Sequence, residues 1–138
     1  MPTTSPTITT TTTGDVVFDI WPTEHPVFDA DSPDGIEYLV PIVGPTAVII
    51  LHHVCRRLRQ TPMTYYTTLP KLSHACGGGT GSGGRCGLIE RGLARLVMFG
   101  FARQVFAGHY VVRTKVPALP ARQIAHLPLE LQHRIPVT

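Results

Sequence analysis

The stretch that most limits how this chain can fold is Cys76–Thr114, which joins a glycine loop, a helix pattern and two strand patterns without interruption. The loop reads GGGTGSGG, and the helix pattern after it reads RCGLIERGLARLVMFG. The strand patterns are FARQVF and HYVVRT, and the Ala107-Gly108 pair between them is typical of a tight hairpin turn because its second residue is glycine. This order predicts a mainly helical α+β domain that contains a β-hairpin.

The helix pattern, residues 85–100, divides its side chains between two faces. At about 100° per residue, one half of the helix is apolar. That half consists of Leu88, Ile89, Leu93, Leu96, Val97 and Phe99. Arg91 and Arg95, four residues apart, point together from the other half. Gly100 is typical of a helix end, whereas Gly87 and Gly92 each cost about 1 kcal/mol within a helix, so packing must hold this helix together.

Two further helices and a strand are predicted upstream. The first helix begins at Gly44-Pro45, where proline suits an early helical position, and ends near Gln60. Its inner face is predicted to hold Ala47, Val48, Leu51, Val54, Cys55 and Leu58. Met63–Thr68 is typical of a strand, and Leu69–Ala75 of a helix that Thr68 caps. Leu69, Leu72 and Ala75 are expected to face the core.

The C-terminal residues 117–138 form a separate helical tail in this prediction. Pro117 and Pro120 end the hairpin, and two short helical pieces follow, Ala121–His126 and Leu129–Arg134. Their apolar side is predicted to hold Leu127, Leu129, Leu131 and Ile135. We interpret the tail as either a clasp over the domain or a homodimer contact.

The first 43 residues contrast with the rest in composition. Residues 1–14 are rich in threonine and are predicted to be disordered, because they bury too little apolar surface to offset the entropy of ordering. Residues 15–43 are predicted to be an irregular acidic arm with an apolar patch at Val16–Trp21. We interpret the patch as a packing segment, or as a strand that adds to a sheet edge or to a protein partner. Ile36–Val40 is predicted to be a short strand.

Charge is distributed unevenly along the chain. Residues 1–50 carry seven acidic residues and no Lys or Arg, a net charge of −7, whereas residues 51–138 carry twelve basic and two acidic residues, a net charge of +10. A basic domain with an acidic arm indicates a nucleic-acid partner, or an arm that neutralises the surface on which it rests. We also expect the arm to compete with nucleic acid for the basic surface.

Residues 44–116 resemble a winged helix-turn-helix domain, in which three helices are followed by a hairpin wing. The chain is similar to small actinobacterial proteins that have a helix opened by Gly-Pro, a glycine-rich turn and a LARLVMFGFAR-like passage, here Leu93–Arg103. The resemblance implies DNA binding, with the third helix in the major groove and the wing on the backbone or in the minor groove. The turn between the second and third helices has about eight residues rather than three or four. Some winged helices dock proteins instead.

The resemblance implies a set of contact residues. Arg91 and Arg95 would read bases from the third helix, and the wing would contribute Arg103, Arg113 and Lys115. If the glycine loop touches a DNA phosphate, Thr80, Ser82 and Arg85 are further backbone contacts.

Metal, cofactor and catalytic sites find little support in the sequence. His74, Cys76 and Cys86 are weak candidates for zinc ligands because they lack the usual paired spacing. His52, His53 and Cys55 could complete a set of ligands only if the first helix lies beside the loop, and a Cys76–Cys86 disulfide is a further alternative. The glycine loop lacks the Lys-Ser/Thr pair of a nucleotide-binding loop. We therefore expect no cofactor and no enzymatic activity. No apolar run approaches the length of a membrane span, and no N-terminal export signal is recognisable.

Three functions are compatible with these patterns. The leading hypothesis is a DNA-binding transcriptional regulator in the cytoplasm or nucleoid. Arginine outnumbers lysine ten to two and asparagine is absent, a bias of GC-rich coding that suggests a bacterial or phage source and is not evidence of function. The alternative is a winged-helix module that binds a protein in a phage or host assembly. The weakest alternative is a metal or redox sensor that uses the cysteines.

Overall fold

The computed structural model describes residues 15–60, 64–78 and 86–137. Its strands are β1 Asp15–Ile20, β2 Pro26–Asp29, β3 Thr64–Thr68, β4 Ala102–Phe106, β5 His109–Val112 and β6 Lys115–Pro117. Its helices are α1 Pro33–Val43, α2 Pro45–Gln60, α3 Leu69–Ala75, α4 Gly87–Met98, α5 Ala121–Ile124 and α6 Leu129–Arg134. The predicted α+β class is confirmed. Among these helices, none has the length and apolar character needed to cross a membrane.

Four strands form the main sheet in the order β3-β1-β5-β4. The β4–β5 hairpin forms as predicted, with Gly108 at φ +75° in its turn. β1 runs antiparallel to β3 and parallel to β5, so the N-terminal segment supplies a central strand. β2 and β6 pair as a second, two-stranded sheet. The prediction of an irregular acidic arm is therefore wrong for residues 15–20 and 26–29. Val16 and Phe18 alternate toward the core, and both neighbouring strands satisfy the β1 backbone.

Helix α1 replaces the short strand predicted at Ile36–Val40. The hydroxyl of Ser32 accepts a hydrogen bond from the Gly35 N–H at 2.9 Å, which caps the helix, and Pro33 occupies an early position. Buried residues then recur at helical spacing, at Gly35, Tyr38, Leu39, Ile42 and Val43. The β-branched and aromatic residues of this stretch favour a strand only weakly, and the cap and the buried helical face outweigh that preference.

Helices α2 and α4 pack on the same face of the main sheet. The Phe18 ring stacks between those of Tyr65 and Tyr110, with centroid distances of 6.0 and 5.7 Å. His53 of α2 contacts Tyr65, and Leu93 of α4 lines the same small cleft as Tyr110. All six residues predicted for the inner face of α2 are buried, together with Ile50. On the opposite face of the sheet, Val17 and His109 are half-buried and Tyr66 and Phe106 are exposed.

The buried face of α4 is narrower than predicted. Ile89, Gly92, Leu93 and Leu96 are buried, whereas Leu88 and Val97 are exposed. Because Gly92 has no side chain, α2 approaches at this residue, and the buried stripe centres between Gly92 and Leu93. Leu88 and Val97 both lie roughly 90° from that centre and therefore remain at the margins. The helix ends as predicted, with Gly100 at φ +86° and the Phe101 N–H bonded to the Leu96 carbonyl.

Helices α5 and α6 lie against their own domain. The Gln123 side-chain amide donates a hydrogen bond to the Phe99 carbonyl at 3.1 Å, and Arg134 pairs with Glu37 of α1. Leu127, Leu131 and Ile135 are buried, whereas Leu129, predicted to be on the apolar side, is exposed. Ala75 of α3 is likewise exposed, and Ser73 takes the buried position. The described contacts fit the clasp interpretation of the tail.

Candidate nucleic-acid interface

The two arginines predicted to read bases from α4 have different environments. Arg91 is exposed and makes no hydrogen bond or ion pair with any described residue. Arg95 instead donates from Nε to the Val43 carbonyl at 2.7 Å, reaches the Ile42 carbonyl at 3.4 Å, and lies over the Phe99 ring. It thereby caps the C-terminal end of α1, where helix carbonyls lack intrahelical partners. Its guanidinium therefore stabilises the fold.

The residues predicted for the wing are also divided. Arg103 lies in β4, is exposed, and has no polar partner among the described residues. Arg113 follows β5 and stacks over the Trp21 ring at 3.8 Å, while its guanidinium donates to the Pro22 carbonyl and the Thr23 hydroxyl. Partial burial lowers the pKa of Arg113. Lys115 belongs to β6, and Arg103 is therefore the only one of these three cations that lies in the hairpin.

Lys115 and the other paired cations are bound to acids of the N-terminal segment. The Lys115 ammonium lies 3.0 Å from the Asp29 carboxylate. Arg59 donates two hydrogen bonds to Asp31, at 2.9 and 2.7 Å. With the Arg134–Glu37 pair, these contacts join residues 26–37 to the rest of the molecule. The predicted acidic arm is thus built into the fold.

The residues predicted for the glycine loop and for a metal site do not extend the interface within the part of the chain that the structure describes. Thr80, Ser82 and Arg85 lie outside the described residues. His74, Cys76 and Cys86 do not form a metal site, since no group of three potential ligands comes together in the described part of the chain. Cys55, Cys76 and Cys86 form no disulfide with one another. Burial raises the pKa of Cys55 to about 12 and that of Cys76 to about 11, which disfavours the reactive thiolate.

The uncovered face of the main sheet was not predicted. On β1, Val17 pairs with Tyr66 of β3 on one side and His109 of β5 on the other, and His109 pairs with Phe106 of β4. One row of side chains, Tyr66–Val17–His109–Phe106, therefore crosses all four strands. Because Val16 and Phe18 point toward the helices, this row points away from them. We call it the open-face row.

A cleft of about 710 Å³ lies over the open-face row. Tyr66 is 75% exposed and Phe106 is 69% exposed, so each aromatic ring is largely in solvent on the outer strands of the sheet. Lys71 of α3 and Gly108 of the hairpin turn also line the cleft. A Cβ on Gly108 would lie 2.6 Å from the Asp15 carbonyl, so glycine at this turn permits the close approach of β1.

A second row lies beside the first and contains Thr64, Asp19, Val111 and Arg103. Within it, the Asp19 carboxylate lies 2.6 Å from Nε2 of His109 and accepts a hydrogen bond from the Thr64 hydroxyl. Burial acts to raise the pKa of Asp19, but the hydrogen bonds from Thr64 and His109 and the charge of His109 outweigh it, and the pKa is lowered. Asp19 therefore holds the His109 ring in place.

Comparisons with known proteins add no relative. The chain matches no model of a known protein family, no curated protein and no solved structure. The alternation of VVFDI and TYYTT was the available signal for the open face, but nothing local indicates that these two segments pair with each other.

Proposed function

We propose that the protein binds nucleic acid, and that α4 and the β4–β5 hairpin contribute to the contact. One observation carries the proposal: α4 is followed at once by the hairpin, and each presents an exposed arginine, Arg91 and Arg103, with no polar partner among the described residues. Arg91 lies on the helix side of the main sheet and Arg103 on its opposite face, so a nucleic acid that contacts both passes around the edge strand β4. The remaining predicted contacts that the structure describes, Arg95, Arg113 and Lys115, are used internally. A guanidinium in solvent is well suited to bind phosphate oxygens or the edge of a guanine.

The distribution of charge supports the same proposal. Asp31, Asp29 and Glu37 of the N-terminal segment pair with Arg59, Lys115 and Arg134, so these three acids do not cancel the charges of Arg91 and Arg103 through direct contact. Attraction between exposed cations and phosphates supplies most of the affinity in non-specific nucleic-acid binding. In its specific form, the proposal is a DNA-binding transcriptional regulator with α4 in the major groove and the hairpin on the backbone.

An anisotropy titration with a labelled DNA duplex at two salt concentrations tests the proposal. Arg91→Ala and Arg103→Ala should each weaken binding, and a lost phosphate contact should reduce the slope of log affinity against log salt by about one. Loss of a base contact by Arg91 would instead cost about 1–3 kcal/mol for the preferred sequence.

Arg56→Ala is the matched control, because it removes the same charge from an exposed position on α2. Arg56 lies six residues from Ile50, the residue nearest to Gly92, a distance of about 9 Å along the helix. If the Arg91, Arg103 and Arg56 variants bind the duplex equally well, α4 and the hairpin are not the contact surface.

A protein-binding module is the second candidate function. Leu88 and Met98 are exposed on the same side of α4 as Arg91, and Met98 is 73% exposed. A helix face that mixes apolar and basic residues is typical of a protein contact as well as of a nucleic-acid contact. Under this candidate, wild-type protein fails to bind DNA at low salt, and a Leu88→Ser/Met98→Ser variant loses a complex that wild-type protein forms with a purified protein partner.

A further inference from the structure

We infer that the cleft between α2 and α4 binds a phosphate group, and that Arg91 and Arg95 hold this group together. The inference rests on the proposed nucleic-acid function and deepens it, because it assigns Arg91 to the sugar-phosphate backbone rather than to the edge of a base. It is carried by the charge and geometry of one cleft, which involves neither Arg103 nor the hairpin.

The cleft lies where the first turn of α2 meets the exposed side of α4. It has a volume of about 280 Å³, and Thr46, Ala47 and Leu88 line it together with the two arginines. Sites that enclose a drug-sized ligand have volumes of roughly 300–1,000 Å³. The cleft is therefore suited to one small group that projects from a larger partner.

The charge of the lining selects an anion. Arg91 and Arg95 line the cleft, and among the described residues no carboxylate does. Glu90, the neighbour of Arg91 in sequence, points about 140° away from Arg95 around the helix and lines a different cleft with Tyr110. Two positive charges without an acid beside them attract an anion and repel a cation.

Both guanidinium groups have donors available for this anion. Arg95 uses Nε and one N–H of Nη2 on the carbonyls of Val43 and Ile42. A guanidinium has five N–H groups, so the two on Nη1 and the second on Nη2 have no partner among the described residues. Arg91 has no described polar partner at all. Arg95 can therefore cap α1 and bind an anion at the same time.

The placement of the two side chains favours a phosphate over a base edge. A Cβ on Gly87 would lie 3.9 Å from Nη1 of Arg91, so this guanidinium lies back along the preceding turn of α4. Arg95 has already committed its Nε and Nη2 to carbonyls, and that edge is closed to a base. A base edge requires one flat fork, whereas a tetrahedral phosphate can accept hydrogen bonds from two guanidinium groups that approach from different directions.

The first test places a carboxylate in the cleft of the full-length protein. Thr46→Asp adds an acid to an exposed position in the first turn of α2, where an acid favours the helix, so the variant should remain folded by circular dichroism. In anisotropy titrations it should weaken binding to each of several unrelated duplexes by the same factor, roughly 10- to 100-fold, as expected when hydrogen bonds to a charged group are lost. The slope of log affinity against log salt should decrease by about one.

Gln60→Glu is the matched control for Thr46→Asp. It adds the same charge at an exposed position of α2, but fourteen residues further on, which is about 21 Å along the helix. Its affinity for the duplexes should remain within about twofold of wild type, because exposed charges separated by more than the screening length interact weakly.

The second test uses inorganic phosphate alone and needs no nucleic acid. Sodium phosphate, added at constant ionic strength, should shift the Nε–Hε resonances of Arg91 and Arg95 in nuclear magnetic resonance spectra. Sodium acetate and sodium chloride should shift them much less, and Thr46→Asp should abolish the effect of phosphate. Equal shifts with acetate and phosphate would show a general anion site and overturn the inference.

The outcomes separate this inference from the proposed function. If duplex binding depends on Arg91 and Arg103 but Thr46→Asp binds every duplex as tightly as Gln60→Glu, the inference is wrong and the proposed function stands. If Thr46→Asp weakens binding to one preferred duplex only, Arg91 reads a base and the inference is likewise wrong. If no duplex binds at low salt while phosphate still shifts both arginines, the proposed function fails, and the cleft is a site for a free phosphate.

Discussion

At the scale of single residues, two arginines at equivalent positions on one helix have different roles. Arg91 and Arg95 are both exposed on one side of α4, yet only Arg91 lacks a polar partner among the described residues. Arg95 finds the unsatisfied carbonyls of Val43 and Ile42, about fifty residues earlier in the chain, and its planar fork can bond to both while stacking on Phe99. A guanidinium beside an unsatisfied helix end therefore donates hydrogen bonds to the carbonyls of that end.

Arg95→Ala should therefore destabilise the protein by about 1–3 kcal/mol, because hydrogen bonds with a charged partner are lost and the end of α1 loses its cap. Arg95→Lys should recover only part of the loss, since an ammonium lacks the fork. Urea unfolding monitored by circular dichroism measures the difference.

The neighbouring Arg91→Ala serves as the control for Arg95→Ala. It removes an exposed side chain without a described polar partner, so its effect should stay within about 0.5 kcal/mol. Equal stability of the Arg91 and Arg95 variants would show that Arg95 does not hold α1.

At the scale of elements, the contact between α2 and α4 depends on a residue without a side chain. A Cβ on Gly92 would collide with Cδ1 of Ile50, and it would lie 3.4 Å from Thr46 and 3.7 Å from Ala47. Ile50 is fully buried and cannot swing into solvent. The helix propensity lost at Gly92 is thus offset by the close approach of α2.

Gly92→Ala should destabilise the protein by about 1–3 kcal/mol through overpacking, although alanine alone favours the helix by about 1 kcal/mol. In an Ile50→Val background, which removes Cδ1, the same change should cost much less, giving a favourable coupling of roughly 0.5–3 kcal/mol in a double-mutant cycle. Additive effects in thermal or urea unfolding would contradict the proposed contact.

At the scale of the whole molecule, the first described residues are part of the core rather than an appendage. β1 lies at the centre of the main sheet, and Asp29, Asp31 and Glu37 pair with cations of the later chain. Substituting these acids therefore changes the stability of the fold as well as the charge available to a nucleic acid. The expected competition between this segment and nucleic acid has to be tested with variants of verified folding.

Stability should decrease as the pH falls. Burial acts to raise the pKa of Asp31, but the hydrogen bonds and charge of Arg59 outweigh it, so the folded pKa lies below the ordinary value of 3.8. The stability that the ionised Asp31 contributes is complete above the ordinary pKa and is lost as the pH falls through the lower, folded pKa. Burial lowers the pKa of His53 below 6.5, so folding favours its neutral form, and the stability it contributes is also lost as the pH falls below that value.

The melting temperature should consequently be nearly constant above about pH 7, decrease slightly near pH 6, and fall steeply below about pH 4. Asp31→Asn should reduce the fall below pH 4 and leave the change near pH 6 unaltered. Glu24→Gln, which removes a carboxylate without a described ion pair, is the control. Melting curves of the Asn variant that parallel wild type throughout would exclude the Asp31–Arg59 pair as a source of acid sensitivity.

The sequence by itself determined the elements whose signals are local. Pro45 at the start of α2, the Thr68 cap of α3, the Gly100 end of α4 and the Gly108 turn each act within a few residues, so the α2–β3–α3–α4–hairpin order was predictable. The prediction of a strand at Ile36–Val40 was wrong because it followed the weak β propensity of these residues. The helix cap at Ser32, also a local signal, was not taken into account.

Only the tertiary structure decided which distant segments meet. Val17 pairs with Tyr66 and His109, and Arg95 bonds to the end of α1, across separations of roughly fifty to ninety residues. A strand pattern shows which side chains share a face but not which strand lies beside it, since backbone hydrogen bonds are the same for every partner. The open-face row therefore results from long-range packing that no local pattern encodes. The same packing decides which arginines form hydrogen bonds within the fold and which have no described partner.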